Sequence, residues 1–458
     1  MMGRDRDRKP MAAVDAAWLR MEHAANLMTI TGVLTFEGPI DYARFKEIIE
    51  DRFIIHDRFR QKIVEPATGL GRPAWVEDDH FSLKAHLHHV ALPEPRDQKA
   101  LQELVSDLMS TPLDRSRPLW QMHLIDDYEG GAAVVIRIHH CIADGIALIR
   151  LLFSLTDEEP DVPAVGAAGR PGTKRRAARA TMPEWILRQS VEMILNPGRA
   201  MELAQQGMTG IDILRRLLSL PPDERTVFHG ALSVPKKAAW SGPIPLPDVK
   251  RIGKAFGATV NDVMLAAVAG ALRHYMIARG ELFRGETLRA VVPFNLRPMD
   301  EALEFGNRFG LVFVDLPVGT HDVAERLRLV QRRMAEIKAS PEAGVVFGVL
   351  GLMGALGPEL EKVAVSIFSS KATMVLTNVP GPQKQLYLAG SPVRNIMFWV
   401  PQSGGLGLGI SIFSYAGNVR VGVAVDASLV PDPDTLVHYL EKEMHALLSE
   451  ADGRQADG

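Results

Sequence analysis

Two adjacent histidines, an aspartate and a glycine follow an apolar run in the segment RIHHCIADGIAL, residues 137–148. His139 and His140 end the run, and Asp144 and Gly145 come shortly after them. An imidazole that faces a cleft can take up a proton near neutral pH, because its unperturbed pKa is about 6.5. Gly145 permits a tight turn, and Asp144 can bond the turn's backbone or pair with a cation. The pattern predicts one histidine that acts as a general base, and the alternative is a pair of core histidines beside a turn.

The periodicity of a strand separates the two histidines. Successive side chains of a strand point to opposite faces, so His139 and His140 cannot both reach one small ligand. A metal site built on both is not expected, because metal ligands must converge. Cys141, the single cysteine of the sequence, should face away from His140 for the same reason. We expect it to be a small buried hydrophobic residue rather than a nucleophile.

Other catalytic patterns are missing from the sequence. The segment GISIF, residues 409–413, lacks the second glycine of a G-x-S-x-G motif, so a serine hydrolase of that kind is not indicated. The glycines of GGLGLGISI, residues 404–412, precede a strand pattern rather than a helix, so they do not predict a nucleotide site. A formal net charge of -3 gives no overall attraction to nucleic acid. We therefore expect neither a cofactor nor a nucleic-acid partner.

Elements that could position these residues alternate between strand and helix patterns, which is typical of an α/β fold. AAVVIRIHH (132–140) reads as a buried strand and GIALIRLLFSL (145–155) as the helix after it. In the second half, 261–280 is a predicted helix capped by Asn261 or Asp262. Further strands are predicted at 371–382 and 393–400, a hairpin at 406–426, and a last helix at 434–450.

A stretch rich in proline, glycine and basic residues divides the chain. It predicts an N-terminal domain at 1–163, a basic linker and helical connector at 164–235, and a C-terminal domain at 236–458. The longest charge-free apolar run, 344–357, is shorter than the roughly 20 residues that span a bilayer. The N-terminal residues show no signal peptide. We therefore expect a cytoplasmic protein.

Several motifs in order carry a resemblance to a known family. HHCIADG (139–145) matches the H-H-x-x-x-D-G signature of the acyltransferase superfamily that includes chloramphenicol acetyltransferase, carnitine acyltransferases and condensation domains. More narrowly, the chain resembles the bacterial bifunctional wax ester synthase/diacylglycerol acyltransferase family from about Met11 to the last helix. The matching elements are Met11, Asp15, Trp18 and Glu22; Pro118, Leu119 and Trp120; Asn261 and Asp262; NVPGP (378–382); and GLGISIFSYAG (407–417).

The resemblance implies two chloramphenicol acetyltransferase-like domains, with mixed sheets flanked by helices and an active-site channel at their interface. It also implies a reaction in which acyl-CoA, as a co-substrate, acylates a fatty alcohol or diacylglycerol to give wax esters or triacylglycerol. His140 would be the general base, with no acyl-enzyme, and His139 would support the site. Asp144, next to Gly145, would pair with an arginine, and Arg297 is the expected partner.

The resemblance further suggests residues that contact the substrates. Asn261 or Asn378 would donate a hydrogen bond to the developing oxyanion, although each could equally serve in capping or turn bonding. Trp120 would shape the core and the channel wall. The run at 344–357 would line an acyl tunnel or pack as a core helix. Two other functions stay open: a carrier-protein-dependent acyltransferase of the condensation or polyketide-lipid type, and a non-catalytic lipid-body binding protein.

The segment after the first domain suggests a lipid surface as a further partner. Two amphipathic helices are predicted at 183–195 and 199–220, after a run of positive charges with no acid between them. Such a combination favours peripheral association with membranes or lipid droplets. The alternative is a solvated linker whose helices pack across both domains. The charges belong to Arg170, Lys174, Arg175, Arg176 and Arg179.

Overall fold

The computed structural model describes residues 8–66, 71–160, 219–281, 287–295, 307, 309–339, 365–367, 369–402 and 404–456. The α-helices of these residues are α1 (Ala13–Met21), α2 (Tyr42–Ile48), α3 (Gln98–Ser110), α4 (Gly145–Leu155), α5 (Leu246–Phe256), α6 (Val260–Ala278), α7 (Val323–Ala339) and α8 (Pro433–Ala456). The strands are β1 (Lys9–Pro10), β2 (Thr29–Phe36), β3 (Gln61–Val64), β4 (Ala74–Glu77), β5 (Leu87–Ala91), β6 (Trp120–Tyr128), β7 (Gly131–His139), β8 (Lys236–Trp240), β9 (Ile244–Pro245), β10 (Leu288–Asn295), β11 (Phe309–Leu316), β12 (Met374–Pro380), β13 (Tyr387–Leu388), β14 (Ser391–Trp399), β15 (Leu408–Tyr415) and β16 (Asn418–Asp426).

Two large mixed sheets form the frame. The N-terminal sheet has six strands in the order β13-β14-β2-β7-β6-β5, and the C-terminal sheet has seven, in the order β11-β10-β12-β15-β16-β8 with β9 beside β16. Helices α5, α6 and α8 pack on the C-terminal sheet around one apolar core. A small sheet of β1, β4 and β3 stands apart from both. The predicted α/β class is confirmed.

The N-terminal sheet takes two of its strands from the other half of the chain. β14 pairs antiparallel with β2, from Val393 opposite Phe36 to Trp399 opposite Thr31. The domain boundaries expected at 163 and 236 do not anticipate this crossing. The strand pattern of 393–400 predicts a strand, but a strand's own sequence does not identify its partner.

Strand β7 lies inside this sheet, paired antiparallel with β2 on one side and β6 on the other. Its β-branched residues suit a strand that neighbours cover on both edges. Alternation places Ile136 and Ile138 on one face, where they border a cavity, and Arg137 and His139 on the other. The sheet thus presents the end of β7 in a fixed orientation.

The helix that follows β7 begins where the sequence predicts. Asp144 is the N-cap of α4, and its carboxylate accepts a hydrogen bond from the Ala147 N–H over 2.9 Å. At α6 the predicted cap is wrong. Thr259 caps that helix, and Asp262 is the third residue of a capping box, with its side chain bonded back to the Thr259 N–H. The side chain of Asp262 therefore stabilises the helix from inside its first turn.

The described helices give no single membrane span. Among them, no helix by itself is long and apolar enough to cross a bilayer. Helices α5 and α6 reach the required composition only together, and their axes differ by 96°.

The strands β13 and β14 form a hairpin, here called the crossing hairpin, which comes from the C-terminal half and joins the N-terminal sheet. The hydroxyl of Tyr415, at the end of β15, connects the C-terminal sheet to this crossing hairpin. It accepts a hydrogen bond from the Leu386 N–H over 2.9 Å and donates to the Val393 carbonyl over 3.0 Å. Burial raises the pKa of Tyr415 to about 12, so the hydroxyl keeps its proton near neutral pH. One side chain thereby satisfies two backbone groups of the segment that joins the sheets.

We predict that Tyr415→Phe lowers the free energy of unfolding by about 1–3 kcal/mol, because it removes the acceptor of the buried Leu386 N–H, whereas the Val393 carbonyl keeps a hydrogen bond from Gln385 Nε2. Urea denaturation followed by circular dichroism measures the change. Tyr439→Phe, which removes a hydroxyl from α8, serves as the matched control. Equal stability of the Tyr415 and Tyr439 variants would show that the hydroxyl does not hold the crossing hairpin.

Candidate active site

The two motif histidines lie where β7 ends, and main-chain hydrogen bonds hold both. The His139 N–H donates to the Leu119 carbonyl over 3.0 Å, and the His140 N–H donates to the Met28 carbonyl over 2.7 Å. Both side chains are buried, with exposures of 1% and 4%. They have different neighbours, as strand alternation requires for adjacent residues.

Both ring nitrogens of His139 are engaged within the protein. Nδ1 accepts a hydrogen bond from the Cys141 N–H over 3.1 Å, so the ring proton belongs on Nε2. That nitrogen lies 3.0 Å from Glu22 Oε2. Glu22 Oε1 lies 3.0 Å from the Arg115 guanidinium. Although burial alone would raise the pKa of Glu22, His139 and Arg115 outweigh it and lower that pKa to about 2. His139 is therefore held in one orientation by a permanently charged carboxylate.

The His140 ring stacks on an aromatic face. Its centroid lies 4.0 Å from that of the Trp18 ring, with an interplanar angle of 17°. Burial lowers the pKa of His140 to about 3, and the neighbouring His139 also lowers it, whereas the Asn307 side chain acts in the opposite direction. The imidazole is therefore neutral at physiological pH, which is the form that accepts a proton.

Helix α1 supplies a partner for each histidine from one face. Asp15, Trp18 and Glu22 are spaced by three and four residues, which places them on the same side of a helix. Trp18 covers His140, and Glu22, the C-cap of α1, contacts His139. In the sequence these residues are visible only as a family pattern, without roles. The helical spacing of two acids and a tryptophan was the one signal in the sequence that could have indicated a functional face on this helix.

The third residue of this face, Asp15, reaches the C-terminal half of the chain. Its Oδ1 accepts hydrogen bonds from the main-chain N–H of Asn307 over 3.0 Å and from the Asn307 Nδ2 over 2.8 Å. The same Nδ2 also donates to the His140 carbonyl over 2.8 Å. Asn307 could not be predicted from the sequence, because a single asparagine far along the chain carries no local signal.

Asp144 and Gly145 follow the histidines at the start of α4. Asp144 is 2% exposed and caps the helix, while its expected partner Arg297 lies outside the described residues, so that ion pair stays a prediction. Gly145 is the first helical residue, so the expected tight turn does not depend on glycine's conformational freedom. A Cβ added to Gly145 would meet no atom within 4 Å. The space beside it belongs to a cavity.

This apolar cavity lies between the N-terminal sheet and α4. All of its lining residues are apolar or glycine. β2 contributes Ile30 and Gly32, α4 contributes Leu148 and Leu152, and β15 contributes Phe413. Such walls favour an alkyl chain over any polar ligand.

Cys141 is placed for packing. It is fully buried, and burial raises the pKa of its thiol well above the usual value, with the nearby Asp15 carboxylate acting in the same direction. The nucleophilic thiolate form is therefore disfavoured.

The structure brings the two asparagines predicted as oxyanion donors into contact with each other. The Asn378 Nδ2 donates to the Asn261 Oδ1 over 2.9 Å, and both side chains are 5% exposed. Their predicted role stays a prediction. Trp120 is fully buried, donates from its indole to the Phe59 carbonyl over 2.9 Å, and packs edge-on against Phe53. Phe53, rather than Trp120, lines the cavity.

Two expected features lie where the structure gives no description. The run at 344–357, predicted to line an acyl tunnel or to form a core helix, is outside the described residues. Residues 161–218 are also outside the described part of the chain. They include the basic segment at 170–179, the helix expected at 183–195 and nearly all of the helix expected at 199–220. These expectations stay predictions.

Comparison with known proteins covers both halves of the chain. The family model described as "Wax ester synthase/diacylglycerol acyltransferase catalytic domain" matches residues 11–264, and the corresponding C-terminal domain model matches residues 305–448. A Mycobacterium tuberculosis protein named as a diacylglycerol O-acyltransferase is 31% identical over 94% of this chain and 90% of that protein. Another from the same species, named as the diacylglycerol O-acyltransferase tgs1, is 29% identical over 96% of each chain.

Solved structures agree with these matches. The wax ester synthase/diacylglycerol acyltransferase from Marinobacter aquaeolei VT8 has a TM-score of 0.70 at 25% identity, covering 97% of this chain and 100% of that one. The first condensation domain of the calcium-dependent antibiotic synthetase has a TM-score of 0.62 at 17% identity, covering 97% and 96%, and shows a likeness of fold. The expected two-domain, chloramphenicol acetyltransferase-like fold is confirmed. The chain belongs to the wax ester synthase/diacylglycerol acyltransferase family, and it is an O-acyltransferase of neutral-lipid synthesis.

Proposed function

We propose that this acyltransferase moves the acyl group of a long-chain acyl-CoA directly to a fatty alcohol or diacylglycerol, with His140 as the general base. The observation that carries the proposal is the apolar cavity that reaches Gly145, beside the motif that contains the neutral His140 imidazole. A cavity without polar lining groups suits an alkyl chain, and a neutral imidazole suits removal of a hydroxyl proton.

The proposed reaction needs no covalent intermediate. His140 takes the proton of the alcohol as the alcohol oxygen attacks the thioester carbonyl carbon. The tetrahedral intermediate then collapses, the carbon–sulfur bond breaks, and the imidazolium returns the proton to the departing CoA thiolate. Because burial disfavours the charged ring, the imidazolium is a strong acid and gives up this proton readily. Asn261 or Asn378 would stabilise the oxyanion.

The neighbours of His140 support a division of roles. His139 contacts Glu22 and accepts a hydrogen bond from the Cys141 N–H, so it would orient the loop rather than transfer protons. Cys141 keeps its proton, which disfavours a route through an acyl-cysteine.

We predict that His140→Ala lowers thiol release from palmitoyl-CoA by about 10²- to 10⁴-fold, as expected for loss of a general base. His139→Ala should lower the free energy of unfolding more than His140→Ala does, because it removes one of the two side-chain partners of the buried Glu22 carboxylate and leaves only Arg115. Cys141→Ala is the matched control and should keep most activity. Purified protein is given hexadecanol and diacylglycerol in separate tubes.

Two results of this assay would contradict the proposal. A folded His140→Ala protein with turnover near the wild-type value would exclude His140 as the base. A wild-type protein that releases no CoA from palmitoyl-CoA but uses acyl groups on a carrier protein would establish the carrier-dependent alternative. If the acyl group is transferred from neither palmitoyl-CoA nor a carrier protein, the result would favour a non-catalytic lipid-binding protein.

The cavity gives a test of chain length. Gly32→Val adds a side chain at a position where a Cβ would lie 3.8 Å from the nearest atom, the Met397 carbonyl oxygen, so the strand can accept it. We predict a preference for shorter acyl chains, with each methylene that can no longer be buried worth about 0.8 kcal/mol. Thr31 precedes Gly32 on the same strand and faces away from the cavity, so Thr31→Val is the matched control.

The measurement is kcat/KM for acyl-CoAs of increasing length with hexadecanol as the fixed acceptor, then for alcohols of increasing length with palmitoyl-CoA. A shift in the acyl series and none in the alcohol series supports an acyl-chain cavity. A shift in the alcohol series alone would assign the cavity to the acceptor, and an unchanged profile would show that neither chain occupies it.

We also propose peripheral binding to membranes or lipid droplets in the cytoplasm, which rests on the sequence at 170–220. Each basic residue near an anionic surface is worth roughly 1 kcal/mol. We expect the protein to float with anionic liposomes, less so as salt is raised. Replacing the five basic residues between 170 and 179 with Gln should weaken flotation further. Undiminished flotation of that variant at low salt would support the linker interpretation instead.

A further inference from the structure

Asp15 and Asn307 form a partly buried contact between the two halves of the chain, next to the base. Asp15 is 2% exposed and belongs to the region matched by the catalytic-domain model, whereas Asn307 belongs to the region matched by the C-terminal model. Two N–H groups of Asn307 donate to one oxygen of Asp15. No step of the proposed reaction uses either residue.

Asn307 acts on both the main chain and the ring of His140. Its Nδ2 donates to the His140 carbonyl over 2.8 Å, which fixes the peptide group that follows the base. Its side chain also raises the pKa of the His140 ring, against the larger effect of burial.

Charged and titratable groups from several elements surround Asp15. Burial raises the pKa of Asp15 to about 6, Asn307 and the Arg58 guanidinium oppose that rise, and the Asp144 carboxylate adds to it. The Cys141 thiol is also close enough to be affected by the Asp15 charge. Arg58, whose guanidinium lies over the Trp75 ring at 4.0 Å, is the cation that faces Asp15 from the neighbouring 3₁₀ turn.

We propose that Asp15 and Asn307 are positioning residues for the base: the Asp15 carboxylate orients the Asn307 amide, and Asn307 orients His140 from across the domain boundary. The inference rests on the proposed role of His140. An ionised acceptor makes the stronger hydrogen bond, so the carboxylate holds the amide more firmly than a neutral group would. A base fixed by an oriented partner is a common requirement of proton transfer in enzymes.

The direction of the pKa shift distinguishes positioning from simple packing. Because the pKa of Asp15 is raised from 3.8 to about 6 in the folded protein, folding favours the protonated carboxyl. This contribution to stability is fully present below pH 3.8 and is lost as the pH rises through about 6, so the buried carboxylate is a cost to stability near pH 7.5. A neutral isostere should therefore leave the folded protein equally stable or more stable near pH 7.5. If the residue served packing alone, activity would follow stability.

The first test compares wild type with Asp15→Asn. We expect Tm at pH 7.5 to stay the same or rise, and kcat to fall by about 10- to 100-fold with KM for palmitoyl-CoA little changed, since a misplacement of about 1 Å can cost about 100-fold. Asp248→Asn, which removes an acid from the first turn of α5, is the matched control and should change neither quantity.

The second test is the pH profile of kcat/KM. With the pKa of His140 lowered to about 3, the acid limb of the wild-type profile should fall near pH 6, where Asp15 becomes protonated. In Asp15→Asn this limb should disappear, which would assign it to Asp15. The difference in Tm between the two proteins should change across the same pH range, a readout that requires no activity.

The third test is a double-mutant cycle. Asp15→Ala and Asn307→Ala should each lower kcat, and the double variant should be no worse than the more damaged single variant, because the two residues act in series. Additive losses would overturn the proposal. So would an Asp15→Asn enzyme with wild-type kcat and an unchanged acid limb.

These outcomes are separable from a failure of the proposed function. If wild type itself releases no CoA from palmitoyl-CoA with any acceptor, both the acyl-transfer proposal and the positioning role fail. If wild type is active and His140→Ala is not, but the Asp15 and Asn307 variants behave as wild type, the positioning role alone fails.

Discussion

The site depends on the burial of two adjacent histidines at the end of one strand. Backbone alternation sends consecutive side chains in different directions, so two imidazoles cannot share one environment there. A buried polar group is tolerated only where it has partners. The His139 ring finds Glu22 and the Cys141 N–H, whereas the His140 ring stacks on Trp18 and its main-chain carbonyl accepts from Asn307. The same constraint therefore produces one histidine held by a carboxylate and one available as a base.

The partners come from parts of the chain that are far apart in sequence. Helix α1 lies more than a hundred residues before the motif, and Asn307 lies beyond the segment that divides the two halves. The charges follow from this arrangement. The pKa of Glu22 is lowered to about 2 because a guanidinium and an imidazole outweigh its burial, whereas the pKa of Asp15 is raised to about 6 because its partners do not. Two buried carboxyls on one helix face thus respond differently to pH.

The sheet separates the apolar and polar parts of the site. On β7, Ile136 and Ile138 face the cavity while Arg137 and His139 face the other way. The crossing strand β14 supplies further cavity wall from the C-terminal half of the chain, and Tyr415 holds the start of that crossing. An alkyl chain can therefore lie against one face of the strand whose end carries the base. Chain binding and proton transfer are brought together by a single element.

The local elements and the family could be predicted from the sequence alone. The β-branched run before the motif, the Asp144 cap and the hydrophobic helix after it are read from neighbouring residues, because strand alternation and capping act over a few positions. The divergence of the two histidines follows from the same rule. Which distant groups contact the two histidines is visible only in the folded protein. That β14 joins the N-terminal sheet, that the face of Asp15 and Trp18 covers the motif, and that Asn307 bonds to His140 all depend on long-range packing, which no local pattern encodes.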